Sequence, residues 1–98
     1  MATRLDFTDR FQDDIARIVE HLQAHQLQDI NDRIEEILDA LSVLRQHPLI
    51  GRPAGGGLRE LVIGRDARGY VVRYRYNPVK DEVDVAALRA QREAGFGE

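Results

Sequence analysis

Arginine is the residue type in this sequence with the clearest capacity for chemistry. Of the 14 basic residues only Lys80 is a lysine, and arginines cluster between Arg45 and Tyr76, where only Glu60 and Asp66 oppose them. A guanidinium group binds carboxylates and phosphates through paired hydrogen bonds and stacks on planar groups. Arginine-rich genome composition explains the preference over lysine equally well, but it does not explain the clustering. The cluster therefore indicates recognition of an anion.

The candidate arginines come from a loop, three predicted strands and the C-terminal tail: Arg52, Arg59, Arg73, Arg75, Arg89 and Arg92. Neighbouring antiparallel strands bring side chains of one face within about 5 Å of each other. We therefore expect several of these arginines to converge on one concave surface. The alternative is that they pair across the strands with acidic residues such as Glu60, Glu82 and Asp84.

Other chemistries find little support. The chain has no cysteine, which excludes a disulfide, a thiol nucleophile and a thiolate metal site. His21 and His25 are four residues apart but lack an HExxH pattern, so they are interpreted as surface residues. Asp13 and Asp14 are expected on a solvated helix face, and the glycines at 55–57 lack the context of a phosphate-binding loop. Neither a metal nor a cofactor is predicted.

Length and composition indicate one domain that spans residues 1–98. The chain is 43% hydrophobic and 32% charged, with a net charge of -3, which is typical of a small globular protein. Its apolar runs are too short to cross a membrane, and the first residues lack the apolar stretch of a secretion signal. We therefore expect a cytoplasmic protein with no membrane partner.

The helices and the first strand follow from hydrophobic periodicity. Alternation over residues 3–7 predicts a short strand, and Thr8 is a predicted helix N-cap. Apolar stripes predict one helix over about 9–24 and a second from Leu27 to near His47, where the following proline ends it. Because the link between the helices is short, they are expected to be antiparallel neighbours.

The C-terminal half is predicted to form a sheet. Residues 48–57 are rich in proline and glycine and are interpreted as a loop. Three strands follow over 58–63, 70–76 and 83–89, separated by turn-rich segments, and should form an antiparallel meander. The fold class is thus α+β, in the order β-α-α-β-β-β. In the middle strand, alternate residues should face the core, while Arg73 and Arg75 should lie on the opposite face.

The order of these segments resembles a known family. A strand, a helical hairpin, the loop PLIGRP and the segments LRELVIG, GYVVRYRY and VDVAALRAQREAGF together resemble the ParE/RelE toxins of bacterial type II toxin-antitoxin modules, from Leu5 to Phe96. The resemblance implies an N-terminal helical hairpin on a strongly twisted antiparallel sheet. It also implies a cognate antitoxin as partner and, for some modules, a role in plasmid stabilization. RelE-type members cleave mRNA in the ribosome, whereas ParE-type members bind and block DNA gyrase.

Transferred residue by residue, the resemblance implies an incomplete catalytic set. Basic positions of RelE-type members fall on Arg59 and Arg89, with Arg92 following, and a C-terminal tyrosine position falls on Phe96, which lacks a hydroxyl. Three further positions carry an apolar residue where other members have a lysine, an arginine and a histidine respectively: Leu61, Val71 and Ala90. Phe96 therefore joins the six arginines as a candidate for binding the target or a phosphate.

Cleavage of RNA without a metal needs a base for the 2′-hydroxyl and stabilisation of the charge that develops on the phosphate. Arginine remains protonated and is a poor base. The sequence thus favours a gyrase inhibitor neutralised by an antitoxin, and no residue is assigned a catalytic role. Two alternatives remain open: a ribosome-dependent mRNA endoribonuclease, and a degenerate module that binds its partner without toxicity.

Overall fold

The computed structural model describes residues 3–25, 30–64, 69–93 and 95–96. The elements, in chain order, are β1 (Arg4–Phe7), α1 (Asp9–His25), α2 (Ile30–Gln46), β2 (Arg52–Gly55), β3 (Leu58–Ile63), β4 (Tyr70–Asn77) and β5 (Glu82–Ala90). The α+β class, both helices and the three C-terminal strands agree with the predictions. Most of the predicted interhelical link, residues 26–28, lies outside the described residues. No helix in the described ranges has the length and apolar character needed to cross a membrane.

The five strands form one sheet in the order β1-β5-β4-β3-β2. The predicted meander is present, because β3 pairs with β4 and β4 with β5 in antiparallel fashion. Strand β1, however, runs parallel to β5, so the sheet is mixed where a purely antiparallel one was expected. A parallel pairing requires a long connection between the two strands, and here the two helices and the other three strands supply it.

Strand β2 lies in the segment that was interpreted as a loop. Arg52 and Pro53 pair with Glu60 and Arg59 of β3, and β2 is the edge of the sheet, where a proline costs no ladder hydrogen bond. The following turn uses Gly56 and Gly57 at positive φ, 61° and 80°, a conformation that glycine adopts without strain. The same residues that indicated a loop are therefore compatible with an edge hairpin.

The hydrophobic core lies between the helices and one face of the sheet. The helices contribute buried residues such as Leu22, Ile37 and Leu44, and the sheet contributes Val72 and Leu88 among others.

Tyr74 is also fully buried in this core, and its hydroxyl accepts a hydrogen bond of 2.8 Å from the backbone N–H of Gly51. A Cβ atom on Gly51 would lie 2.7 Å from the Tyr74 hydroxyl. The tyrosine thus fixes the segment before β2 against the sheet.

A bulge in β5 provides the anchor for α1. Arg73 of β4 pairs with Ala87 and Tyr74 pairs with Val85, which leaves Ala86 as the extra residue. The Thr8 hydroxyl donates to the Ala86 carbonyl at 2.8 Å and accepts from the N–H of Phe11, as the predicted N-cap. These contacts tie the start of α1 to the bulge.

Asp14 makes the second contact between α1 and the bulged strand. Its carboxylate is buried and accepts a hydrogen bond of 2.9 Å from the N–H of Leu88. The expectation that Asp14 lies on a solvated helix face is therefore wrong. The pairing of β1 with β5 ends at Phe7 and Val85, so β1 offers no partner to the backbone N–H of Leu88, and the carboxylate of Asp14 satisfies it.

Replacement of Tyr74 by Phe should destabilise the protein by about 1–3 kcal/mol, because the buried N–H of Gly51 loses its acceptor. The free energy of unfolding is measured by urea titration followed by circular dichroism. Tyr76→Phe is the matched control, because the Tyr76 hydroxyl donates to Asp81 in a less buried position. This replacement should destabilise the protein less than Tyr74→Phe does. Equal losses in the two variants would contradict the role assigned to Tyr74.

Candidate functional site

The face of the sheet turned away from the helices, called the open face here, carries most of the predicted arginines. On β4, Arg73 lies opposite Glu60 of β3 and Ala87 of β5. Because directly paired residues project from the same face, Arg75 and Arg89 lie on this face with Arg73. Arg52 of β2 joins them because it pairs with Glu60.

The C-terminal tail covers part of the open face. Phe96 is only 7% exposed and packs against Val71 and Ala87 in a small apolar cluster separate from the main core. The guanidinium carbon of Arg73 lies 4.0 Å from the centroid of the Phe96 ring, and that of Arg89 lies 5.0 Å from it. Both distances are in the range of cation–π attraction. The ring therefore links the tail to two arginines of the predicted set.

Arg89 also holds the turn that leads to Phe96. Its Nη1 donates to the carbonyl oxygens of Ala90, Gln91 and Glu93, each at 3.2 Å. Its Nε is buried and has no hydrogen-bond partner among the residues that the structure describes. Much of the donor capacity of Arg89 is thus directed to its own chain, which shapes the C-terminal turn.

Glu60 connects the arginines of β2 and β4. Its Oε2 accepts hydrogen bonds from Nη2 and Nε of Arg73, at 3.0 and 3.3 Å, and its Oε1 accepts from Arg52 at 3.3 Å. Partial burial acts to raise the pKa of Glu60, but the hydrogen bonds and charges of Arg73 and Arg52 outweigh it and hold that pKa below its ordinary value. Arg73 and Arg52 therefore pair with an acidic residue across the strands, which is the alternative to a free anion-binding surface. The structure thus places a carboxylate, which is able to accept a proton, beside Arg73 and Arg52.

Arg59 does not belong to the open face. It pairs with Tyr74, a core residue, and its Nη1 donates to the carbonyl oxygens of Gly51 and Leu49, at 2.8 and 3.2 Å. The expectation that Arg59 converges with Arg73 and Arg89 is therefore wrong. The sequence contained a usable signal, because Arg59 alternates in phase with the apolar residues Leu61 and Ile63.

The remaining two arginines lie at different ends of the molecule. Arg75 is exposed on the open face, and its Nη2 donates to the carbonyl of Gly56 at 2.9 Å, which supports the β2–β3 turn. Arg92 lies in the C-terminal turn and lines a cleft beside α1 together with Arg33. Of the seven candidates, the structure thus brings together Arg73, Arg89 and Phe96, with Arg52 and Arg75 nearby on the same face.

An acidic cluster occupies the β1–β5 edge of the open face, and the sequence analysis missed its assembly. The carboxylate atoms of Asp6, Glu82 and Asp84 lie within 4.8 Å of one another, since β1 and β5 pair in parallel register. These are the described residues whose geometry could hold a metal ion. Arg4 already pairs with Glu82 at 2.7 Å.

Two of these acids share a hydrogen bond with opposite effects on their pKa values. The contact with Asp84 lowers the pKa of Glu82, with Arg4 acting in the same direction. Burial, followed by the contact with Glu82, raises the pKa of Asp84. The open face therefore has one basic region, around Arg73, and one acidic region, at the β1–β5 edge.

The fold is similar to that of two solved structures. A structure described as a chromosomal ParDE toxin-antitoxin system from P. aeruginosa aligns with 18% sequence identity over 90% of this chain and 95% of that chain, with a TM-score of 0.75. An archaeal RelE–RelB complex from Pyrococcus horikoshii OT3 aligns with 17% identity over 96% and 100% of the two chains, with a TM-score of 0.57.

The family follows from the sequence itself. The family model described as the ParE toxin of type II toxin-antitoxin systems, parDE, matches residues 5–95. The chain belongs to this family, as the resemblance of its motifs predicted. Comparison with curated protein sequences gave no match.

Replacement of Phe96 by Ala should lower the free energy of unfolding by about 1–3 kcal/mol, because the buried ring and its contacts with both arginines are lost. Phe96→Leu is the control that keeps an apolar side chain but removes the aromatic ring, and it should retain part of the stability. Urea unfolding measures both variants. An unchanged free energy of unfolding in Phe96→Ala would show that the tail does not pack on the open face.

The stability of the protein should also depend on pH through Glu60. Because the folded-state pKa of Glu60 is lowered, its contribution is complete above the ordinary pKa and is lost as the pH falls through the folded-state value. Glu60→Gln should therefore be less stable than the wild type at pH 7, with a smaller difference at pH 3. Urea midpoints at both pH values test this, with the exposed Glu35→Gln as control. If the urea midpoints of wild type and Glu60→Gln differed by the same amount at pH 7 and at pH 3, the lowered pKa of Glu60 would be contradicted.

Proposed function

We propose that this protein is a toxin that inhibits DNA gyrase and is neutralised by a cognate antitoxin. The observation that carries the proposal is the occupation of the open face: Phe96, which has no hydroxyl, contacts Arg73 and Arg89. Phe96 occupies the position that the resemblance assigns to the C-terminal tyrosine of RelE-type members. Membership of the ParE toxin family supports the same conclusion. A surface of this kind is suited to binding a macromolecule rather than to cutting one.

The chemistry of Glu60 supports binding over catalysis. A general base works best when its pKa lies near the operating pH, whereas the pKa of Glu60 lies below its ordinary value. Both oxygens of Glu60 are engaged by Arg73 and Arg52, and its side chain is largely buried. Removal of a proton from a 2′-hydroxyl would require Glu60 to give up these contacts.

An antitoxin is expected to cover exposed apolar side chains. Leu38 on α2, Val62 on β3 and the pair Leu49 and Ile50 before β2 are all exposed. An extended segment that binds across the helices and the sheet would bury such residues as it folds. Its acidic side chains would pair with exposed guanidinium groups such as that of Arg75. The two similar structures described above are named as toxin-antitoxin assemblies, which agrees with this proposal.

A second candidate function is ribosome-dependent cleavage of mRNA. Glu60 beside Arg73 is the specific observation in its favour, because a carboxylate and a guanidinium group could serve as base and phosphate-binding group. The similarity to an archaeal RelE–RelB complex is consistent with it. In this case, cuts positioned by codons should appear in primer extension on ribosome-bound message and should be lost in Glu60→Gln and Arg89→Ala. The third alternative, a degenerate module, has no support among the described residues.

Purified protein should inhibit ATP-dependent supercoiling of relaxed plasmid by DNA gyrase, and addition of the cognate antitoxin should restore it. Arg75→Gln removes an exposed cation from the open face and should raise the half-inhibitory concentration by about threefold or more. Arg4→Gln removes an exposed cation at the acidic edge and serves as the matched control, with little change expected. Undiminished supercoiling at large excess of toxin, together with codon-positioned cleavage of mRNA, would overturn the proposal in favour of the second candidate.

A further inference from the structure

A groove of about 620 Å³ opens where α2 ends and the chain turns toward β2. Leu49 is 59% exposed and Ile50 is 51% exposed, so two adjacent apolar side chains lie in solvent at one place. The groove is lined by these two residues and by four others: Gln46, His47, Pro48 and Tyr76. Single apolar side chains on a surface are common, but a contiguous group that lines a groove is typical of a site that a partner covers.

The backbone under these exposed side chains is fixed. The N–H of Ile50 donates to the carbonyl of His47 at 3.1 Å, which forms a tight turn after α2. One residue later, the N–H of Gly51 donates to the buried Tyr74 hydroxyl at 2.8 Å. The groove is therefore formed before a partner arrives, and a preformed surface loses little conformational entropy on binding.

Two guanidinium groups lie beside the groove. Arg59 donates from Nη1 to the carbonyl of Leu49 at 3.2 Å, and Arg45 donates from Nε to the carbonyl of Thr3 at 3.2 Å. Glu60, the neighbour of Arg59 in sequence, projects from the opposite face of the sheet. In the part of the chain that the structure describes, neither Arg45 nor Arg59 forms an ion pair with a carboxylate. Both cations are therefore able to pair with acidic groups of a partner.

Among the described residues, the carboxylate in contact with the groove is that of Asp81. It accepts hydrogen bonds of 2.8 Å from the Tyr76 hydroxyl and 2.9 Å from the Thr3 hydroxyl, and these bonds hold the pKa of Asp81 below its ordinary value. Asp39 of α2 precedes Gln46 by seven residues, which is about 10 Å along the helix and roughly one Debye length. The local balance is thus two guanidinium groups against one ionised carboxylate.

We propose that this groove is the principal docking site for the cognate antitoxin, and that it binds a segment in which an apolar pair lies between acidic residues. The apolar side chains would pack on Leu49, Ile50 and Tyr76. The acidic side chains would pair with Arg45 and Arg59. The inference rests on the proposed function, because it requires that an antitoxin neutralises the protein.

A second copy of this chain fits the groove less well. Two copies that met through the same groove would form a two-fold dimer, in which each surface contacts its own equivalent. Arg45 and Arg59 of one copy would then face the guanidinium groups of the other, and like charges across an interface oppose association. An acidic partner meets no such repulsion.

The apolar part of the proposal is tested by the double variant Leu49→Ser/Ile50→Ser. Its affinity for the antitoxin encoded with this protein, measured by isothermal titration calorimetry, should fall by about thirtyfold or more, because two side chains no longer bury apolar area. Val79 is 94% exposed and does not line the groove, so Val79→Ser is the matched control and should change the affinity by less than about threefold. All three positions are exposed, so circular dichroism spectra and urea midpoints should match those of the wild type.

The charge part of the proposal is tested by ionic strength. An increase in NaCl from about 50 to about 300 mM should weaken the binding of the antitoxin, because salt screens charge pairs at an interface. The decrease should be smaller in Arg45→Gln, which lacks one of the two cations. Arg10→Gln, which changes an exposed arginine on α1, is the matched control and should keep the salt dependence of the wild type.

Three results would overturn the inference. They are equal affinity of the antitoxin for the wild type and Leu49→Ser/Ile50→Ser, an equally large loss in Val79→Ser, and a dimer of the protein alone in sedimentation velocity that Leu49→Ser/Ile50→Ser dissociates. The last result would assign the groove to a second copy. If the antitoxin binds through this groove but the protein leaves supercoiling by gyrase unchanged, only the proposed gyrase inhibition fails. If the antitoxin neutralises the wild type and the double variant equally, only the docking site fails.

Discussion

The contact between Phe96 and the guanidinium groups of Arg73 and Arg89 determines what the open face can do. Guanidinium groups on a sheet would otherwise be free to bind phosphate. Here the ring covers them in part, Glu60 neutralises Arg73, and the backbone of the C-terminal turn occupies Nη1 of Arg89. The arginines therefore act first as structural residues, and the exposed Arg75 remains available at the edge of the group.

The fold was largely predictable because its helices and central strands have strong periodicity. Thr8 was correctly identified as a cap, and strands β3 to β5 were predicted within one residue at each end. Strand β2 could not be recognised from the sequence. Segments rich in proline and glycine occur both in irregular loops and in hairpins at the edge of a sheet, and the local pattern does not distinguish a loop from a hairpin. The parallel partner of β1 was equally inaccessible, since it depends on a contact across 78 residues of sequence.

The candidate site was predictable only in part, because the type of a side chain does not reveal which other residues it contacts in the folded chain. The period of the strand predicted that Arg73 and Arg75 lie on the face opposite the core, and the pairing of β4 with β3 and β5 places them there. Arg59 was expected among the converging arginines because of its charge. Its alternation with Leu61 and Ile63 predicts the core face instead, and the structure places it there. Glu60 was recognised as a possible ion-pair partner, but its position between two arginines depends on the pairing of three strands.

The parallel pairing of β1 with β5 has a consequence for the timing of folding. The pairings of β5 with β1 and β4, and the bulge that receives α1, form only once the residues of β5, near the C-terminus, are available. Contacts that join the two ends of a chain form late and slow the folding reaction. A chain still emerging from the ribosome thus lacks the strand around which its sheet closes. Synthesis of β5 must therefore precede assembly of the arginine-bearing surface, so this surface is absent from a nascent chain until its last strand has left the ribosome.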